Sequence, residues 1–141
     1  MFLLDTNVVS ELRKVETGRA DPIVVSWAVS QKAAEFFLSA LSLMEIEIGV
    51  LRMERRDPDQ GTRLRKWQEQ RVLKEFAGRI LPIDRAVALR CARLHVPDPR
   101  SERDALIAAT ALEHGLTVVT RNIRDFEASG VPLLDPWDVR K

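Results

Sequence analysis

Apolar residues fall alternately into short unbroken runs and helix-spaced stripes along the whole chain, and that alternation predicts its fold. Phe2-Leu3-Leu4 is a run of the kind expected for a strand buried on both faces, and it stops at Asp5. Thr6 and Asn7, followed by Val8, Val9 and Leu12, predict a helix directly after it. Residues 14–22 read as a polar loop. Pro22 suits a first helical turn, and Ile23, Val24, Trp27 and Ala28 supply a second stripe as far as Gln31. Residues 35–40 predict a second strand. Residues 42–56 predict a helix with Leu43, Ile46, Ile48, Val50 and Leu51 on its buried side and Gly49 as its weak point.

A break at 57–59 precedes a long charged helix over 60–76, whose sparse apolar positions (Leu64, Trp67, Val72, Leu73, Phe76) suit an outer layer or a partner surface. Residues 79–84 predict a short third strand, at an edge or a strand end because of Pro82. Residues 85–95 are helical in pattern, and 96–100 form a loop. From Ala105 to Leu112 apolar side chains leave no obvious solvent side, so 101–114 is expected to be a central helix packed on both flanks, with Gly115 as its C-cap. Residues 116–120 predict a fourth, β-branched strand, 121–129 a polar turn with a short helix, and 131–134 a last strand. The expected class is α/β, a short and mainly parallel central sheet of about five strands flanked by helices. With no repeat, low-complexity segment or linker, residues 1–141 are expected to form a single domain.

Composition narrows the chemistry. The 22 Lys and Arg against 21 Asp and Glu give a net charge of +1, so global charge does not announce a nucleic-acid binder. Locally, Arg52, Arg55, Arg56, Arg63, Arg65, Lys66, Arg71, Lys74 and Arg79 crowd one stretch around Trp67, which reads as a solvated helical face or as a surface that tracks phosphates. One cysteine, Cys91, excludes an internal disulfide and reads as a small buried hydrophobe. The chain runs straight into a strand rather than a signal peptide, and no apolar run approaches the roughly 18 residues that cross a membrane. A cytoplasmic location is expected.

Four acids share one structural address. Asp5 ends the first strand, Glu45 and Asp104 lie in first turns of helices, and Asp125 follows the fourth strand. In a parallel sheet these positions converge on one edge. Each also has a local explanation: Asp5 or Thr6 as an N-cap, Ser42 with Glu45 and Ser101 with Asp104 as capping boxes, and Asp125 as a turn residue. Carboxylates gathered this closely raise one another's pKa unless a cation offsets their charge. Oxygen-only donors favour Mg²⁺ or Mn²⁺, and the two histidines, His95 and His114, lie outside these motifs. Such a site suits phosphodiester hydrolysis, with Thr6, Asn7, Thr120 and Asn122 supplying hydrogen bonds to acids, water or phosphate. The chain has neither a Ser-His-Asp arrangement nor a glycine-rich phosphate loop.

The ordered set Leu4-Asp5-Thr6-Asn7, Ser42-Leu43-Met44-Glu45-Ile46, Asp104 through Ala111 (DALIAATA), and Val119-Thr120-Arg121-Asn122 with Asp125-Phe126 resembles the PIN-domain proteins, most closely the VapC and FitB type of toxin from type II toxin-antitoxin pairs. The resemblance spans essentially the whole chain. It implies a metal-dependent endoribonuclease, usually dimeric and cytoplasmic, restrained by a small VapB-like antitoxin that carries the pair onto operator DNA. By motif, Asp5, Glu45 and Asp104 match the family's acidic metal site. Some members have an acid where this chain has Asn122, so the fourth position falls to Asp125 or to Asn122. Residues 60–76 resemble an insertion of FitB-like members. The alternatives are a catalytically weak binding module acting with an antitoxin on DNA and, less well supported, a small-molecule phosphatase, since Asp5-Thr6-Asn7 lacks a second acid two residues on.

Overall fold

A computed structural model of the chain describes residues 1–139. Strand β1 (Phe2–Leu4) leads into helix α1 (Thr6–Arg13), a 3₁₀ turn (Lys14–Thr17) and α2 (Pro22–Val29). Strand β2 (Phe36–Ser39) runs without a loop into α3 (Ala40–Arg56), which turns at Asp57 into α4 (Pro58–Trp67). A π-helical turn (Gln68–Val72) and a last α-turn, α5 (Leu73–Glu75), complete that arm. Then come β3 (Ile80–Leu81), α6 (Arg85–Leu94), α7 (Glu102–His114), β4 (Thr117–Val119), two 3₁₀ turns (Ile123–Asp125 and Glu127–Ser129) and β5 (Leu133–Leu134).

The five strands lie in the order β3-β2-β1-β4-β5, and every neighbouring pair is parallel. The α/β class and strand count expected from sequence are those observed. Side chains alternate across the sheet as the pleat requires. Leu4, Leu38 and Val119 join Val8, Trp27, Ile46, Val50 and Phe76 on one face, while Leu3 and Val118 join Ile107, Ala108, Ala111 and Phe126 on the other. Helix α7 is buried along Ala105 and Ile107 to Ala111, and packs on α6 through Val87 and Cys91. Cys91 is thus a buried hydrophobe, as its helical setting suggested.

Two departures from the sequence pattern bear on the site and on the packing of the outer helices. Helix α3 is capped by Ser39, whose side chain accepts from Leu41 N, and not by Ser42. Ser42 lies inside the helix, fully buried, and its hydroxyl has no partner among the described residues. The Ser42–Glu45 capping box is therefore absent, which removes the local explanation for Glu45. The expected 60–76 helix starts at Pro58 and is interrupted at Gln68. Leu64, Gln68, Val72 and Phe76 are spaced by four, a series that drifts around a 3.6-residue helix; one π turn holds it against the core.

Helices α3 and α4 approach so closely that a Cβ on Gly61 would lie 2.4 Å from Glu54 Cα and 2.7 Å from Glu54 N. That obstacle is backbone, so it cannot rotate away. Gly61→Ala is expected to lose about 1–3 kcal/mol through overpacking despite its better helix propensity, lowering Tm by roughly 5 °C in a thermal melt. Gly49, by contrast, faces open space. Among the described residues no helix is long and apolar enough to cross a membrane.

Candidate active site

Strand order places the site. The chain steps from β1 to β2 on one side, and later returns to lay β4 on the other side of β1, so β1 and β4 flank a topological switch point; ligands of open parallel sheets bind beyond the strand ends there. The residues just past those ends are Asp5 and Thr120. Backbone pairing fixes both: Asp5 N donates to Val119 O at 2.9 Å, and Thr120 N to Leu134 O at 3.0 Å.

Their side chains meet. The fully buried Thr120 hydroxyl donates to Asp5 Oδ2 at 2.8 Å and accepts from Asn122 N at 3.0 Å. Asn7 Nδ2 lies 3.4 Å from both Asp5 Oδ2 and Thr120 Oγ1, while Asn7 Oδ1 accepts from Arg121 N at 3.4 Å. Asp5 also serves as the N-cap of α1, accepting from Thr6 N at 2.8 Å. The capping role and the shared edge are therefore compatible, because one carboxylate has enough lone pairs for both.

Thr6 links the next acid. Its hydroxyl donates to Glu45 Oε1 at 2.6 Å, and Glu45 Oε2 faces Arg103 Nη1 at 3.3 Å. Asp104, in the first turn of α7, donates its backbone N–H to the Ser101 hydroxyl across a long 3.5 Å. Asp125 N donates to Asn122 O in the turn after β4, and its side chain is exposed. Asn122 enters the network through its main chain. Of the histidines, His95 accepts from Arg100 N in the loop after α6, and His114 sits in the last turn of α7.

Electrostatics ties the acids together. Burial pushes Asp5 above the usual carboxylate range, opposed by the hydrogen bonds from Thr120 and Thr6 and reinforced by the charges of Glu45 and Asp104. Asp104 is raised by burial, then by the charges of Asp125 and Glu45, with Ser101 opposing. Carboxylates held above their ordinary pKa by burial and by one another are what a divalent cation would relieve, and an all-oxygen donor set matches Mg²⁺ or Mn²⁺. As they lie, no three or more His, Cys, Asp or Glu side chains among the described residues form a ready cage, and both Glu45 oxygens are engaged, by Thr6 and Arg103. The donor chemistry fits the ion; Glu45 would exchange one cationic partner for another.

Arg103 is the residue that sequence reasoning missed. A base in the first turn of a helix opposes the helix dipole, and that mismatch beside Asp104 was the available signal. Thr120 is the buried support of the site. Thr120→Val keeps the shape but leaves an Asp5 oxygen and Asn122 N–H short of a partner, an expected loss of about 1–3 kcal/mol in a denaturant melt.

Comparison with known proteins places this geometry. The PIN domain family matches residues 2–130. The chain is 37% identical to a protein named VapC ribonuclease Y4jK from Sinorhizobium fredii, over 98% of this chain and 99% of that one. It is 36% identical to Toxin FitB from Neisseria gonorrhoeae, over 97% and 99% respectively. Among solved structures, FitAcB from Neisseria gonorrhoeae superposes with a TM-score of 0.89 at 35% identity, covering 99% of this chain and all of the other. FitAB bound to an IR36 DNA fragment also gives 0.89, at 34% identity and with 100% and 99% covered.

Proposed function

This chain belongs to the PIN-domain family, and on that premise we propose that it is a divalent-metal-dependent endoribonuclease, the toxin of a toxin-antitoxin pair. The observation that carries the reading is the chain of contacts Thr120–Asp5–Thr6–Glu45, which joins two strand ends and a helix start at the switch point of the sheet. No single cap requires it.

In this reading Asp5, Glu45 and Asp104 would hold the ion, with Asp125 as the fourth acid. A bound Mg²⁺ or Mn²⁺ supplies Lewis acidity toward water and phosphate oxygens. The protein's own part is positional. Thr120 and Thr6 N–H fix Asp5 and favour its charged form, and the Thr6 hydroxyl fixes Glu45. Arg103, half-exposed beside Glu45, offers a guanidinium to a phosphate oxygen at the same edge. Hydrolysis leaves 5′-phosphate and 3′-hydroxyl ends.

An antitoxin partner is proposed because the similar FitAcB and FitAB structures are two-component assemblies, one of them on DNA. A homodimer, and operator binding through the antitoxin alone, belong to the same proposal. The test incubates purified protein with mixed-sequence single-stranded RNA in Mg²⁺, in Mn²⁺ and in EDTA. Cleavage with either metal and none in EDTA supports the reading. No cleavage in any buffer, beside operator binding by the antitoxin complex, supports a weakly catalytic binding module; Asn122, where some relatives have an acid, is the feature that favours that second reading.

A further inference from the structure

The carboxylate edge is a poor place for a polyanion to land. Asp5, Glu45, Asp104 and Asp125 lie near enough for their charges to act on one another, Arg103 is paired with Glu45, and Arg121 is stacked 5.0 Å from the Trp137 ring centre. Until a cation offsets the acids and frees Arg103, a substrate of the same sign as the site needs attraction from elsewhere on the molecule. The charged stretch from Arg52 to Arg79 supplies less of it than its composition suggests. Arg65 is held between Glu47 at 2.7 Å and Glu54 at 2.9 Å, Arg71 pairs with Glu16 and Glu75, and Arg79 donates to the carbonyls of Ala33, Phe36 and Glu75.

Of the other cations in that stretch, Arg63 and Lys66 line a groove together with Arg13 and Arg19, while Arg52, Arg55, Arg56 and Lys74 lie outside it. Two adjoining clefts of about 450 and 480 Å³ lie between the end of α1 with its 3₁₀ turn and the outer side of α4, and share Arg13, Thr17, Gln60 and Arg63. Lys14 and Arg19 complete one cleft, and Leu64, Lys66 and Trp67 are among the further residues of the other. Arg19, Arg63 and Lys66 are exposed and have no anionic partner among the described residues. The groove's acid, Glu16, is neutralised by Arg71. Arg13 lies 5.8 Å from the Trp67 ring centre, giving the floor the combination of cation and aromatic surface that single-stranded nucleic acids favour.

We propose that this groove binds the phosphate backbone of single-stranded RNA as a docking site separate from the cleavage edge, a proposal that rests on the nuclease reading. Its walls suit a polyanion, since beside Leu64 and Trp67 they present guanidinium, ammonium, amide and hydroxyl donors, and the charges of Arg19, Arg63 and Lys66 have no anionic partner among the described residues. Reach is adequate: α1 begins at the site and ends at Arg13, roughly 12 Å along its axis, well within the span of the 4–16 or so nucleotides such grooves hold.

The experiment compares the chain with a triple variant, Arg19→Gln, Arg63→Gln and Lys66→Gln, both in an Asp104→Asn background that prevents cutting. Anisotropy of a fluorescein-labelled mixed-sequence RNA of about 20 nucleotides is followed against salt. The triple variant is expected to bind at least 10-fold more weakly at low salt, and its slope of log K against log salt to fall by about 2. With Asp104 restored, KM rises in proportion and kcat at saturating RNA is unchanged. An unchanged slope and affinity overturn the proposal, and so does an unchanged RNA slope accompanied by weaker binding of a poly-glutamate peptide, which would make the groove a protein-docking surface. If the parent cuts no RNA but the slope falls as stated, the nuclease reading fails and the groove stands.

Discussion

Asp104→Asn is expected to lower RNA cleavage by at least about 100-fold, the upper range for losing a residue that only supports a metal ligand, while leaving the fold intact. Two opposing effects keep the stability change small. Asn relieves the burial cost and the repulsion from Asp125 and Glu45 that raise the Asp104 pKa, but gives up an acid in the first turn of α7. The melting temperature of the metal-free protein should stay within about 3 °C of the parent. The pH dependence is more telling. A carboxyl whose folded pKa is raised binds its proton more tightly in the folded state, so it has no effect on stability below its unfolded pKa. Its contribution falls as pH rises through the folded value. The metal-free parent should therefore lose stability from acid toward neutral pH on account of Asp5 and Asp104. The variant should lose less, since it lacks one of these groups and reduces the charge acting on the other. A variant that cuts RNA at the parental rate would remove Asp104 from the site.

Phe126→Ala has the largest expected effect on stability, a loss of about 3–5 kcal/mol and roughly 10 °C in Tm. The ring is 1% exposed and packs with Leu3, Ile107, Ala108 and Val118 beneath the sheet. Phe126 also closes the turn after β4, its N–H donating to Ile123 O and its carbonyl accepting from both Ser129 N and Ser129 Oγ. The cavity would therefore loosen the segment that carries Asn122 and Asp125. Cleavage by the surviving folded protein should fall with stability, and Phe126→Leu should recover most of both. Loss of stability without loss of cleavage would show that this segment does not contribute to the reaction.

Asp104→Asn acts at a feature whose address is written locally in the chain, whereas Phe126 is buried in a segment whose pattern reads as a polar turn. A three-residue apolar run ending in an acid announces a buried parallel strand with a carboxylate at its C-terminal end, and β1 with Asp5 is that arrangement. The unbroken apolar character of α7 announces a helix packed on several sides. What stayed hidden depends on contacts between distant segments. Ser42 and Glu45 have capping-box spacing, yet that spacing also occurs inside a helix that starts earlier, and only the end of β2 at Ser39 decides between them. The clash facing Gly61 comes from the helix preceding it. Arg65 looks like any exposed base until Glu47 and Glu54 on α3 close on it, lowering their own pKa values through its hydrogen bonds. Arg103 and Glu45 are brought together across the sheet edge by tertiary packing alone.

The measurement that tests the central claim most directly is calorimetric titration of Mn²⁺, then Mg²⁺, into the folded metal-free protein and its Asp104→Asn variant. The carboxylate edge predicts saturable binding in the parent that weakens at least 10-fold in the variant, with proton release on binding that grows as pH falls toward the raised pKa values of Asp5 and Asp104. Equal and negligible heats from two folded proteins, repeated with an uncleavable RNA analogue present, would contradict it. Asp5 would then be an N-cap and Asp104 a first-turn acid, and nothing more.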